Sequence, residues 1–333
     1  MTITRDAEHQ EIWHRLAEHA LFSIGAQGEW HWFRYHFSFM PLHPLAKSIV
    51  DACADCERVI PGLGEQFIEE IISINGQERH EPHYEQLLQK LSEILVLRQL
   101  LSLDWPPDTE FQHEPAAVPN GKRPELRVTT PDERFLFEVK TPSLMAHIRN
   151  RNRAGVQIPG RALERERIEA IAANENVTLP RDNPIKDFLV DANEKFRQFK
   201  ARNEEKSVLI IVWDDFLYEP ITALGHERCG LLTPNSYFRD ADDNAIEFPH
   251  IDAVILIRHL TYLYRATADV PLDERNHALD FGDENSLPNV HFPLNHGLPI
   301  PENVLKGLRA VSHTDEVLQR FADYRPKDIV IWA

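Results

Sequence analysis

The tightest constraint on this chain is the stretch from Pro124 to Lys140, which reads Pro-Glu-Leu-Arg-Val, Thr-Thr-Pro-Asp-Glu-Arg, Phe-Leu-Phe-Glu-Val-Lys. Two β-type segments flank a polar turn that holds Pro131 and Asp132. In the second segment Phe135, Phe137 and Val139 alternate with Leu136, Glu138 and Lys140. Successive side chains of a strand point to opposite faces, so Glu138 and Lys140 share one. Pairing of the two segments as a hairpin would bring Glu125 toward Glu138. Two carboxylates and a lysine then converge at the end of a sheet.

Two neighbouring carboxylates repel, and they settle by sharing a proton or taking a cation. Hard divalent ions accept oxygen ligands and keep several waters, so one or two carboxylates suffice. Such an ion lowers the pKa of a bound water and stabilises charge developing on a phosphate. A lysine beside it can orient the attacking water. At these residues the chain resembles the PD-(D/E)XK nuclease superfamily, whose fold is restriction-endonuclease-like. Pro124-Glu125 stands where that family has Pro-Asp, with glutamate in place of the usual aspartate, and Glu138-Val139-Lys140 matches (Asp/Glu)-X-Lys. The resemblance implies that Glu125, Glu138 and the Val139 carbonyl bind Mg2+ or Mn2+, with Lys140 serving hydrolysis. It covers Tyr84 to Leu260. The bland alternative is an exposed hairpin with an ordinary Glu-Lys pair.

The flanking segments fit the same expectation. Tyr84, Leu87, Leu88, Leu91 and Leu95 form an apolar stripe on a helix over 82–101, whose second half is apolar nearly all round. Glu93 sits inside that half, where an unpaired carboxylate is costly, so it calls for a cation or donor nearby. The superfamily often carries an acidic residue on the preceding helix near the metal, and the resemblance gives that role to Glu93, with Glu85 second. A second helix is expected over 185–200, where Ile185, Phe188, Leu189, Ala192, Phe196 and Phe199 keep helical spacing and Asp191, Lys195 and Gln198 line an adjacent stripe. The superfamily places a polar residue on this helix, so Lys195 or Gln198 is expected to assist Lys140. Ser207 to Trp213 and Ile251 to Ile257 read as buried strands, separated by an irregular excursion.

The expected architecture is therefore α/β: a restriction-endonuclease-like mixed central sheet flanked by helices, with an α-rich N-terminal region. Residues 1–80 form that region, 81–264 the nuclease-like core, and 265–333 a turn-rich extension with a helix over 313–321 and a terminal strand over 329–332. Trp30, Trp32, Phe33, Tyr35, Phe37 and Phe39 form an aromatic cluster. Such residues can stack on bases, but more often they fill a core. Cys53-Ala-Asp-Cys56 lacks the second pair that a zinc site needs, and only three cysteines occur, so a reducing cytoplasm fits. No apolar run reaches membrane-spanning length, and the first residues lack the apolar core of a signal peptide. Glycine-rich phosphate loops, a nucleophile elbow and a zincin motif are all missing from the sequence.

The net charge of −17 opposes binding to nucleic acid unless cations are gathered locally. Six arginines (149, 151, 153, 161, 165 and 167) follow the motif against Glu164 and Glu166. Arg149, Arg151, Arg153 and Arg161 are the expected phosphate contacts, with a solvated helical face as the plain alternative. The expected activity is a metal-dependent nuclease acting on nucleic acid, DNA ahead of RNA, with restriction or host defence suggested by fold analogy. A homodimer or a partner protein is compatible, and no membrane partner is expected. The rival is a catalytically silent scaffold that binds nucleic acid or serves assembly.

Overall fold

The computed structural model describes residues 7–26, 33–38, 41–74, 80–143, 145–146, 149, 155–157, 170, 176–178, 184–200, 205–273 and 275–332. They belong to two compact units. The first comprises Met1–Pro115, Glu125–Asp132 and His259–Leu287, and the second comprises Ala116–Pro124, Glu133–Arg258 and Pro288–Ala333.

The first unit is mainly helical. Helices α1 (Ala7–Ala26), α3 (Pro44–Val59) and α4 (Leu63–Ser73) pack on one another, and α5 (Glu81–Leu101) packs on α3 and α4. The sequence explains the joints. His43 accepts the Leu45 N–H at 3.2 Å as an N-cap, and Pro44 suits the first turn of α3. A Cβ at Gly64 would lie 2.3 Å from the Cys53 carbonyl oxygen, so α3 and α4 meet backbone to backbone only because residue 64 is glycine. Cys53 and Cys56 are buried free thiols of the α3 core. In the short helix α2 (Phe33–Phe37), Phe33 and Phe37 fill the core while Tyr35 is exposed. Trp30, Trp32 and Phe39 lie outside the described residues. In the second half of α5 Ile94 to Leu97 are buried all round, as their composition predicts. Strands β1 (Glu110–His113) and β2 (Leu126–Thr129) pair antiparallel with His113 opposite Leu126.

The second unit holds a mixed sheet in the order β3 (Arg134–Lys140), β6 (Lys206–Trp213), β7 (Ala253–Arg258), β8 (Asn289–Pro293) and β9 (Ala310–Ser312). Strands β3, β6 and β7 run parallel, β8 opposes β7, and β9 is parallel to β8. A small second sheet joins β10 (Val330–Trp332), β4 (Gly155–Gln157) and β5 (Asn176–Thr178). The chain is thus α/β with a mixed sheet. The helix over 185–200 forms as α6 (Ile185–Lys200), and its Ile185, Leu189, Ala192, Phe196 and Phe199 pack with Leu136, Leu209 and Ile211. That face of the sheet is the one to which Glu138 and Lys140 belong. On the opposite face Phe135, Phe137 and Val139 are also buried, as befits a parallel strand covered on both sides.

The C-terminal part departs from expectation. Strands β8 and β9 extend the sheet, although Pro288 and Pro293 bracket a run too short to announce itself. No helix forms over 313–321. Asp315 turns the chain by accepting the Val317 N–H at 2.8 Å, and only 3-10 turns follow at Leu318–Arg320 and Ala322–Tyr324. Leu318 alone of Val317, Leu318 and Phe321 is buried, which is too narrow an apolar face to hold a longer helix.

Candidate functional site

Each unit carries, among the described residues, a group of side chains that bears on the expected site. In the second, Glu138 stands on β3 with no solvent exposure. Lys140, two residues on and on the same face, brings its Nζ to 2.9 Å from Glu138 Oε1. Lys195 reaches the same oxygen from α6, donating at 2.6 Å. Lys140 also contacts Asp191 Oδ2 at 2.7 Å, and Lys122 donates to Asp191 Oδ1 at 2.8 Å. Asp191 and Lys195 are one helical turn apart on α6, which is why both can face β3. The result is a continuous ion chain: Lys195, Glu138, Lys140, Asp191, Lys122.

Its electrostatics are uneven. Burial pushes the Glu138 carboxyl above the ordinary glutamate range, although the Lys140 and Lys195 charges pull it back. Burial opposes the Lys140 charge, but Glu138 and Asp191 outweigh it and raise that ammonium pKa. Asp191 also resists burial, and its bonds to Lys122 and Lys140 hold it down at about 2. Lys140 and Asp191 are therefore firmly charged at neutral pH. Glu138 Oε2 is buried with no hydrogen-bond partner. A buried anionic oxygen left in that state costs on the order of 1–3 kcal/mol.

Of the two residues proposed to assist Lys140 from this helix, Lys195 is the one beside Glu138. Gln198 is half-buried, its Oε1 lacks a partner, and it lies against Gly121, where a Cβ would come within 2.6 Å. Val139 sits between Glu138 and Lys140 and pairs with Ile210 in the parallel ladder. Arg149 is exposed, while Arg151, Arg153 and Arg161 lie outside the described residues.

In the first unit Glu93 of α5, His113 of β1 and Glu125 bring one potential ligand atom each to within 4.8 Å of one another. Glu125 directly precedes β2, and its carbonyl accepts the Glu114 N–H at 3.0 Å. Lys90 donates to Glu93 Oε2 at 2.6 Å and is shared with Glu70. The expectation that Glu93 would hold a cation is met by this lysine. Burial raises the Glu93 pKa, but the adjoining His113 and Lys90 more than offset it, so the group is lowered and ionised at neutral pH. Glu85, the second choice for the acidic role, is not part of this group. Sequence reasoning overlooked three contributors. Lys122 was hidden in a proline-rich connection, Asp191 was noted only as part of a helix stripe, and His113 had no signal beyond its place on a short strand.

An α/β chain with a buried carboxylate gripped by two lysines, and a separate Glu-His-Glu group, is the class that fold and geometry define. No protein-family model, curated protein or solved structure matches it.

Proposed function

We propose that this chain is a divalent-metal-dependent nuclease of the PD-(D/E)XK type, with a restriction-endonuclease-like core, that hydrolyses phosphodiester bonds in nucleic acid. The observation that carries the reading is Glu138: fully buried, held by Lys140 and Lys195 through one oxygen, with the other oxygen unpartnered. The buried free carboxylate oxygen of Glu138 is a ligand that Mg2+ or Mn2+ takes. When bound, the ion supplies a water of lowered pKa and positive charge for the reacting phosphate.

Lys140 keeps its proton, so it orients the attacking water and stabilises negative charge without acting as the base. Asp191 and Glu138 fix its position from two sides. The Lys195 charge opposes the upward push that burial gives the Glu138 carboxyl. The chain of three lysines and two carboxylates carries one excess positive charge, in a protein whose net charge is −17. That local reversal of sign is what a phosphodiester requires. Arg149 is the exposed phosphate contact, DNA is favoured over RNA, and restriction or host defence in the cytoplasm is the role that fold analogy suggests.

The test is cleavage of DNA and RNA by the native chain and by Lys140→Ala, with Mg2+ or Mn2+ and with a chelator. Native cleavage that falls by about 100-fold or more in the variant, and stops on chelation, supports the proposal. Absence of cleavage together with absence of divalent-ion binding in calorimetry refutes it. The second reading is a silent scaffold, and the closed ion chain favours it, because Lys140 and Glu138 satisfy each other without any ligand. Retarded DNA in a gel shift, with no cleavage under any ion, would select that reading.

A further inference from the structure

We propose that Glu93, His113 and Glu125 form a binding site for a first-row transition-metal ion, Mn2+ or Zn2+, that discriminates against Mg2+. The inference deepens the nuclease reading by naming an ion class and a nitrogen ligand. It stands on geometry confined to the first unit.

Three observations converge on His113. Its side chain is only 9% exposed, and Nε2 is buried without a hydrogen-bond partner. Nε2 lies 3.8 Å from Glu93 Oε1, too far for a hydrogen bond. Two ligands at about 2.0–2.2 Å from one ion can stand up to about 4.4 Å apart, so the pair already has the spacing of atoms that share a metal. The third ligand atom, from Glu125, completes a triangle with no side above 4.8 Å. Small side-chain rotations close it.

The surroundings hold these groups in place. Lys90 occupies Glu93 Oε2 and leaves Oε1 turned toward His113. Phe67 packs edge-on against the imidazole with ring centroids 5.7 Å apart. Glu114, the residue after His113, has a φ of 44°, an uncommon conformation for a residue with a Cβ. Its N–H is tied to the Glu125 carbonyl at 3.0 Å. That bent backbone keeps His113 and Glu125 on adjoining ends of β1 and β2. Such strain persists where the surrounding structure over-determines it.

The ligand chemistry selects the ion. Mg2+ demands oxygen and near-ideal octahedral geometry. An imidazole with two carboxylates suits Mn2+, Zn2+ and their neighbours, and three protein ligands leave coordination positions open to water.

The experiment is isothermal titration of the full chain, freed of metal by chelation and dialysis, with MnCl2, ZnCl2 and MgCl2, with Mn2+ electron paramagnetic resonance as a second readout. The variants are His113→Phe, which keeps the packing on Phe67, and Glu93→Gln; circular dichroism checks that each is folded. The native chain is expected to bind Mn2+ at least about tenfold more tightly than Mg2+, and each variant to lose about tenfold or more of Mn2+ affinity. Equal affinity for the two ions, or Mn2+ affinity unchanged in both folded variants, overturns the proposal. Lys140→Ala, titrated in parallel, separates the two readings. Intact Mn2+ binding through His113 in a chain that never cleaves sinks the nuclease and leaves this site standing. Mg2+-dependent cleavage indifferent to His113→Phe does the reverse.

Discussion

Lys195→Met tests the buried ion chain directly. Methionine keeps the packing of the stem and removes the charge. Lys195 Nζ lies 2.6 Å from an oxygen of Glu138, and the two side chains are 15% and 0% exposed. Two unit charges about 4 Å apart attract by roughly 4 kcal/mol at an effective dielectric of about 20, and breaking a buried pair costs about 3–5 kcal/mol. Lys140 remains at 2.9 Å on the same oxygen, and the desolvation of Lys195 is relieved. The expected loss is therefore about 2–3 kcal/mol at pH 7.5. It should depend on pH in a definite direction. Burial raises the Glu138 pKa, and removal of Lys195 raises it further. The penalty of the variant is thus full above that pKa and shrinks as pH falls and the carboxyl takes up a proton in both proteins. Urea unfolding in chelator, followed by the fluorescence of the fully buried Trp213 and by circular dichroism, measures it. A loss under about 0.5 kcal/mol at pH 7.5, within the range of an exposed ion pair, would refute the account; so would a loss that does not shrink as pH falls.

Two further outcomes follow from burial. Burial pushes the thiols of Cys53 and Cys56 well above their ordinary range, so neither should react with a disulfide reagent at pH 8 until denaturant is added; rapid reaction in the native chain would contradict the α3 packing. Burial depresses His259 to about 4 although it donates to the Ala278 carbonyl at 2.7 Å. The unfolded chain binds that proton near pH 6.5 and the native chain does not. Stability should therefore fall by up to about 3 kcal/mol as pH drops from 6.5 to 4, and His259→Gln should flatten that part of the profile in acid-unfolding measurements.

What could be read from the sequence divides by range. Helix α6 and strand β6 declare themselves through periodicity and continuous apolar runs, since each is long enough to carry a pattern. Lys195 was legible for the same reason: it borders the apolar stripe that fixes how α6 lies on β3. The pairing of Glu138 with Lys140 needed only the two-residue period of a strand. The resemblance puts Glu93 and Glu125 at one metal, but His113 was not legible, because it comes from a short strand with no spacing in common with them. Local patterns give each residue its own face, and they do not say which faces meet. Glu125 illustrates the point: the strand pattern placed it at a strand entry, while the structure adds His113 to its neighbours in the first unit. Strands β8 and β9 were missed because five and three residues between prolines and turns hold too little pattern.

Two features of this molecule make poor sense as stabilising devices. A fold selected for stability alone would replace Glu138 and its lysines by apolar side chains, often at no cost or at a gain of about 1–4 kcal/mol. Here the strand keeps a carboxylate that burial disfavours, then leaves one of its oxygens unpartnered. The first unit likewise keeps His113 buried with Nε2 making no hydrogen bond, 3.8 Å from a glutamate oxygen. Around both, the local rules are obeyed: α3 is capped, glycine stands where helices touch, and the cores are apolar. Violations confined to polar groups, amid otherwise consistent packing, are where sequences give up stability for chemistry. Both sites also answer the charge problem. The chain is strongly acidic overall, yet it concentrates Lys140 and Lys195 at the buried Glu138 and Lys122 at the adjoining Asp191, and it brings Glu93 and Glu125 together beside His113. Each unit therefore keeps its own polar group at a cost in stability, an anion held among lysines in one and a cation-seeking group in the other.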